Sequence, residues 1–118
     1  MSLIVKAKLK EVAKGCNVAG DLAEGLSTCA EVLVKDAEKR AEDNGRKTVM
    51  AKDLAFFFTA KKAKENIVVK SKVKDAIKSC NVAGDFADAL NNVLVDMLLS
   101  ACKRADGNSR KTVMAKDL

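Results

Sequence analysis

Two stretches of this sequence occur twice, at the same separation. The pentapeptide NVAGD lies at Asn17–Asp21 and again at Asn81–Asp85, and the nonapeptide RKTVMAKDL lies at Arg46–Leu54 and again at Arg110–Leu118. Each residue from position 4 to position 54 aligns without a gap with the residue 64 positions later, and about half of the aligned pairs are identical. Two copies are too few for a solenoid, which needs at least about three repeats. We therefore predict two equivalent halves that pack on each other.

The predicted units are a first copy over residues 1–58, a connector over 59–67 and a second copy over 68–118, with the two copies forming one compact domain. The composition favours an all-α fold, because proline is absent, only 3% of the residues are aromatic, and good helix formers dominate. The longest apolar stretch, Val93–Cys102, is shorter than the roughly 20 residues that a membrane helix needs. The N-terminus has no signal-peptide pattern, so we predict a cytoplasmic protein without a membrane partner.

Helical periodicity predicts three helices in each copy. A short amphipathic helix of about three turns ends near Gly15, or near Ser79 in the second copy. Long helices follow near Asp21–Asp43 and Asp85–Asp106, each capped by its first aspartate. Their apolar stripes are too long to be buried by one short helix, so we expect the two long helices to cross in opposite directions.

A polar loop follows each long helix and ends in a β-prone Thr-Val pair, which suits a brief strand contact. A third short helix begins near Ala51 and continues into the connector. We predict a core position for Phe56, Phe57 and Phe58, because three adjacent aromatic rings are costly to leave in water.

The residues that catalysis and metal binding require are scarce. Histidine is absent, none of the four cysteines forms a Cys-x-x-Cys pair, and no glycine-rich phosphate loop occurs. The prominent aspartates have explanations as helix caps or ion-pair partners. We therefore predict a protein that is not an enzyme and takes no cofactor, metal or small-molecule substrate, with its cysteines reduced and serving as small apolar side chains.

The net charge of +6 is unevenly distributed. Residues 1–59 carry 10 basic and 9 acidic side chains, whereas residues 60–118 carry 12 and 7. Such a balance permits nucleic-acid binding without proving it, since a solvated lysine-rich surface gives the same count.

The order of elements, with Arg-Lys-Thr in the second loop and an aspartate seven residues after the arginine, resembles the histone fold. The run NGRKTVMAKDL at Asn44–Leu54 is similar to the second loop and third helix of archaeal histones, and SRKTVMAKDL at Ser109–Leu118 matches as well. The run at Val69–Leu90 resembles more narrowly the small prokaryotic histones sometimes grouped as face-to-face histones. The resemblance implies two histone folds fused in one chain, joined in an intramolecular handshake that we term a pseudo-dimer.

The resemblance also assigns roles to matching residues. It pairs the first loop of each half with the second loop of the other, Asn17–Asp21 beside Arg110–Val113 and Asn81–Asp85 beside Arg46–Val49. It implies structural ion pairs and contacts with DNA phosphates. The implied ion pairs are Arg46 with Asp53 and Arg110 with Asp117, and the implied phosphate contacts are Lys47, Thr48, Lys111 and Thr112.

The sequence departs from the archaeal histones that wrap DNA, because its first loops, CNVAGD, lack the arginine that enters the minor groove. The basic first helices then become the better candidate surface. Their lysines are Lys6, Lys8, Lys10, Lys70, Lys72 and Lys74.

We predict a sequence-independent DNA-binding protein of the nucleoid, with double-stranded DNA as its partner. The alternative is a histone-fold module for protein assembly that does not bind DNA, since a fold does not fix a function. Under either interpretation we expect a dimer of pseudo-dimers, because Val95, Leu98 and Leu99 add apolar surface to the second copy. The alternative at this surface is that the connector around Phe56–Phe58 covers it within the chain.

Overall fold

The computed structural model describes residues 3–13, 15–59 and 61–118, without the side chain of Phe56. Within these residues the same order of elements occurs twice. The first half contains α1 (Lys6–Val12), β1 (Asn17–Val18), α2 (Leu22–Asp43), β2 (Thr48–Val49) and the 3₁₀ helix η1 (Ala51–Phe57). The second half contains α3 (Lys70–Ala76), β3 (Asn81–Val82), α4 (Gly84–Gly107), β4 (Thr112–Val113) and the 3₁₀ helix η2 (Ala115–Asp117).

The short strands join the two halves. Strand β1 pairs in parallel with β4, with Asn17 opposite Thr112, and β2 pairs in parallel with β3, with Thr48 opposite Asn81. The loop pairing that the resemblance implied is therefore confirmed. Because β1 precedes α2 and β4 follows α4, the start of α2 lies beside the end of α4. The pairing of β2 with β3 likewise places the end of α2 beside the start of α4. The two long helices run in opposite directions within one chain.

Both halves also meet just before their first helices. The Val5 N–H donates to the Ile67 carbonyl and the Val69 N–H donates to the Leu3 carbonyl, both at 2.8 Å. This antiparallel contact brings the first turns of α1 and α3 together in the middle of the molecule.

Buried polar residues of the long helices support this contact. The Ser27 hydroxyl of α2 accepts a hydrogen bond from the Leu3 N–H at 3.0 Å. At the aligned position of α4, Asn91 accepts from the Ile67 N–H at 2.8 Å and donates to the Glu65 carbonyl at 2.9 Å. Buried backbone groups need such partners, which explains two polar residues in otherwise apolar stripes.

The core is built between the halves. Helix α1 contacts α4, α3 contacts α2, and α2 and α4 contact each other. The largest fully buried side chains of the two long helices are Leu22, Leu26, Phe86, Leu90, Leu94 and Leu98. The short helices α1 and α3 lie against the long helix of the other half, whereas η1 and η2 each contact both long helices.

The first helix of each copy is shorter than predicted, with seven residues in place of about three turns. After α3 the backbone of Ile77 is extended, and the N–H groups of Lys78 and Ser79 donate to the Glu38 carboxylate of α2. After α1 the chain reverses at Gly15, whose φ of 87° favours glycine. A tertiary contact with α2 therefore follows α3, and a glycine turn follows α1.

The predicted caps of the long helices are wrong. Asp21 makes no side-chain capping bond to α2, and Asp85 lies inside the first turn of α4. Each carboxylate accepts a hydrogen bond from the first residue of the 3₁₀ helix of the other half, Asp21 from Ala115 and Asp85 from Ala51, both at 3.3 Å. Both aspartates therefore link the halves.

The core prediction for the phenylalanines is wrong for Phe57 and Phe58, whose side chains are 48% and 49% exposed. The Phe56 side chain lies outside the described residues. Leu54 is the fully buried anchor of η1, and the next residue, Ala55, has a φ of 54° that interrupts the helix. The chain leaves the core at that point, and the third helix does not continue into the connector.

The apolar surface predicted for the second copy is mostly buried. Leu98 and Val95 are covered, and among the three residues only Leu99 stays exposed, at 44%. Residues 61–65 of the connector line a cleft of about 350 Å³ together with Val95 and Leu99, and Phe57 and Phe58 are not among its lining residues. Of the apolar surface that predicted self-association, only the side chain of Leu99 is therefore exposed.

Over the part of the chain that is described, no helix combines the length and the apolar character needed to cross a bilayer.

Candidate nucleic-acid interface

Two loop pairs lie at opposite ends of the long helices. We call the β1–β4 pair the first end and the β2–β3 pair the second end. At the first end the Lys111 carbonyl accepts from the Asn17 N–H at 2.7 Å, and at the second end the Lys47 carbonyl accepts from the Asn81 N–H at 2.7 Å. The two lysines use their backbones to join the halves and keep their side chains exposed.

An ion pair fixes each second loop. Arg46 forms a two-pronged contact with Asp53 that includes an Nη1–Oδ2 distance of 2.9 Å. Asp53 is only 2% exposed, and its carboxylate also accepts from the Met50 N–H at 2.7 Å. The hydrogen bond from Arg46 lowers the pKa of Asp53 despite burial of the carboxylate. The pair is therefore ionised at neutral pH.

The second copy repeats this arrangement. Arg110 Nη1 lies 2.8 Å from Asp117 Oδ2, and the Met114 N–H donates to the same oxygen at 2.9 Å. The pKa of Asp117 is lowered, chiefly by the hydrogen bond from Arg110. Both loop arginines are thus engaged within the fold, which leaves the lysine and the half-buried threonine that follow each arginine as the groups facing outward.

A third basic group lies at the meeting point of α1 and α3. Lys6, Lys10, Lys70 and Lys74 are exposed on these helices, and Lys8 and Lys72 are half-buried. Lys8 already contacts Glu11 at 3.3 Å and Lys70 contacts Asp88 at 2.9 Å. Among the described residues, no carboxylate lies within 4.0 Å of the ammonium groups of Lys6, Lys10, Lys72 and Lys74.

The second end carries an acidic cluster that the sequence reading missed. Ligand atoms of Glu38, Glu42 and Cys80 lie within 4.8 Å of one another, a spacing that could hold a metal ion. One Glu38 oxygen, however, already accepts from Ser79 N–H, Ser79 hydroxyl and Lys78 N–H at 2.9, 2.7 and 3.1 Å. We therefore describe this cluster as an anionic feature of the loop. Its sequence signal is two glutamates four residues apart, which share one face of a helix.

The first end has two thiols, Cys16 and Cys102, at the positions that match Cys80 and Glu38. The Cys16 thiol donates to the Cys102 carbonyl at 3.9 Å, and Cys102 aligns with Glu38 in the repeat. Burial, assisted by the neighbouring Cys16, raises the pKa of Cys102 to about 11, so this thiol is neutral at physiological pH.

Comparison with known proteins identifies the fold. No protein-family model matches the chain, and no curated protein matches its sequence. Among solved structures, the histone from Methanopyrus kandleri is similar, with a TM-score of 0.70 and 20% sequence identity, over 97% of this chain and 89% of that chain. The chain therefore has an all-α histone fold.

Proposed function

We propose that this chain is a histone-type architectural protein that binds double-stranded DNA without reading its sequence. The observation that carries the proposal is the placement of exposed lysines at three sites, the two loop ends and the middle, each built by both halves of the chain. Lysine supplies a point charge and threonine a hydroxyl donor, which suffice for phosphate contacts.

The two repeats act as fused histone folds in a single pseudo-dimer. Both strand pairs, the antiparallel contact before α1 and α3, and the hydrogen bonds that Asp21 and Asp85 accept link one half to the other. A single chain of the Methanopyrus kandleri histone superposes on 97% of this chain, which includes both repeats. The domain limits that we propose are residues 1–58 for the first copy, 59–67 for the connector and 68–118 for the second copy.

The proposed binding relies on the phosphate backbone. The loop arginines are held by Asp53 and Asp117, and the first loops carry no arginine, so the side chains used to enter the minor groove in wrapping are missing from these positions. We therefore propose a protein of the nucleoid that coats or bends DNA through phosphate contacts.

The test is fluorescence anisotropy with a labelled duplex of random sequence, titrated at several salt concentrations. We expect log affinity to fall linearly with log salt, with a slope of about −0.9 for each phosphate neutralised. Two duplexes of unrelated sequence should give the same affinity. Binding that survives high salt, or no binding at low salt, would contradict the proposal.

The second candidate is a module for protein assembly that does not bind DNA. It is favoured by large apolar side chains that are exposed among the described residues, namely Val32, Phe57, Phe58 and Leu99. The expected dimer of pseudo-dimers remains a prediction, since the second-copy surface that motivated it is largely covered. The anisotropy titration separates the two candidates, because an assembly module does not bind the random duplex even at low salt.

A further inference from the structure

We propose that the two ends of the molecule contribute unequally to DNA binding: Lys111 at the first end makes a full phosphate contact, and Glu38 and Glu42 weaken the matching contact of Lys47 at the second end. This inference rests on the proposed DNA-binding function and deepens it. Its motive is that two loop ends of nearly identical sequence lie beside helix ends of different charge.

The loops themselves give no reason for a difference. Lys47 and Lys111 occupy matched positions, follow the same arginine, and accept the same backbone hydrogen bond from an asparagine at 2.7 Å. A reading of the motif alone therefore predicts equal contributions from the two lysines.

The long helices break this symmetry. Residues 31–43, the second half of α2, carry five acidic and three basic side chains, whereas the matched residues 95–107 of α4 carry two of each. Near the loops, Glu38 is replaced by Cys102 and Asp43 by Gly107, while Glu42 keeps its charge as Asp106. The second end therefore has two more carboxylates than the first.

The charge at the second end is held in place. Three hydrogen bonds from Lys78 and Ser79 fix the Glu38 carboxylate against the loop that precedes β3. Burial would raise the pKa of Glu38, but the hydrogen bonds from Ser79 and Lys78 outweigh it and keep the pKa below the usual range. Glu42 and Cys80 lie beside it, within 4.8 Å. Strand β3 pairs directly with β2, which begins at the residue after Lys47.

This cluster acts on phosphate by repulsion at short range. Charges within the Debye length, about 8 Å at physiological ionic strength, interact without full screening. A phosphate drawn to Lys47 approaches the end that carries the bound Glu38 carboxylate and Glu42, while one drawn to Lys111 approaches the end where Cys102 replaces Glu38 and Asp106 replaces Glu42.

The test compares Lys111→Gln with Lys47→Gln, two matched changes of an exposed lysine, by anisotropy on a random duplex. Losing one full phosphate contact reduces the salt slope by about 0.9 and weakens binding about tenfold at roughly 0.1 M salt. We expect this loss for Lys111→Gln and less than about a twofold loss for Lys47→Gln. Circular dichroism and thermal melting establish that both variants fold.

A second set of variants tests the cause. Glu42→Gln should tighten DNA binding. Adding Lys47→Gln to this variant should then weaken binding by nearly the tenfold expected for one full phosphate contact. The matched control is Glu31→Gln, which makes the same charge change on the same helix about 16 Å away at 1.5 Å per residue. It should leave the effect of Lys47→Gln unchanged.

Equal losses for the two lysine variants, or a larger loss for Lys47→Gln, would overturn the inference and leave the DNA-binding function standing. An effect of Glu31→Gln equal to that of Glu42→Gln would show that net charge, and not the cluster, is responsible. Absence of wild-type binding at low salt would reject the function itself.

Discussion

Replacing Lys6, Lys10, Lys72 and Lys74 by glutamine is expected to weaken DNA binding up to about four-thousandfold near 0.1 M salt and to reduce the salt slope by up to about 3.6. These four lysines surround the meeting point of α1 and α3, and no described carboxylate pairs with them. Anisotropy with a random duplex at several salt concentrations measures both quantities.

The matched control is the double variant Lys8→Gln with Lys70→Gln. Both lysines lie on the same two helices but already contact carboxylates, Glu11 and Asp88. The carboxylates already neutralise part of the positive charge that DNA phosphates would bind. We therefore expect a smaller loss of DNA affinity per lysine than for the unpaired lysines. If the four-lysine variant binds as tightly as the wild type, the middle of the molecule is not part of the interface.

Asp53→Ala is expected to lower the free energy of unfolding by about 3 kcal/mol, because removing one partner of a buried ion pair leaves the other uncompensated. The carboxylate is 2% exposed and is bound by Arg46 and by the Met50 N–H. Denaturant unfolding measures the loss. Lys52→Ala, a change at the exposed neighbouring residue, should alter stability by less than about 0.5 kcal/mol. If Asp53→Ala also lowers the free energy of unfolding by less than about 0.5 kcal/mol, the Arg46–Asp53 ion pair does not stabilise the fold.

The Asp53 carboxylate should also make the stability of the folded protein depend on pH. The pKa of Asp53 is lowered in the folded protein, so its contribution is complete above the unfolded pKa of about 3.9 and is lost as the pH falls through the folded value. We expect the wild type to lose stability below about pH 4 and the Asp53→Asn variant to show a shallower fall. Parallel curves for the two proteins would contradict this account.

The main elements could be predicted because local patterns and tertiary contacts agree there. The long helices lie within two residues of their predicted bounds, and one strand of each pair falls on a predicted Thr-Val pair. The contact between Arg46 and Asp53 depends on a loop followed by a helix start. Its seven-residue spacing became interpretable only through the resemblance to histones.

The features that could not be predicted are contacts between the halves. Asp21 and Asp85 have the sequence of helix caps, yet each binds the 3₁₀ helix of the other half. Ser27 and Asn91 interrupt apolar stripes to bind backbone from the segments that precede α1 and α3. Helical periodicity describes one helix at a time, so it gives no information on a partner more than 20 residues away.

The phenylalanines show a different limit. Hydrophobicity predicted burial of Phe57 and Phe58, but the backbone turns out of the helix at Ala55 before it reaches them. A positive φ is uncommon for alanine, so the local sequence gives no signal of the turn at Ala55.

The most direct test of the account is whether the two halves complete each other within one chain. In a variant with all four native cysteines replaced by serine, Asn17→Cys and Thr112→Cys place a cysteine at each of two directly paired strand positions. After oxidation at low protein concentration, we expect a disulfide within a monomeric chain, seen as faster migration in non-reducing electrophoresis and as monomeric mass in mass spectrometry. Disulfide-linked dimers in place of that species would show that the halves pair between chains, which contradicts the pseudo-dimer.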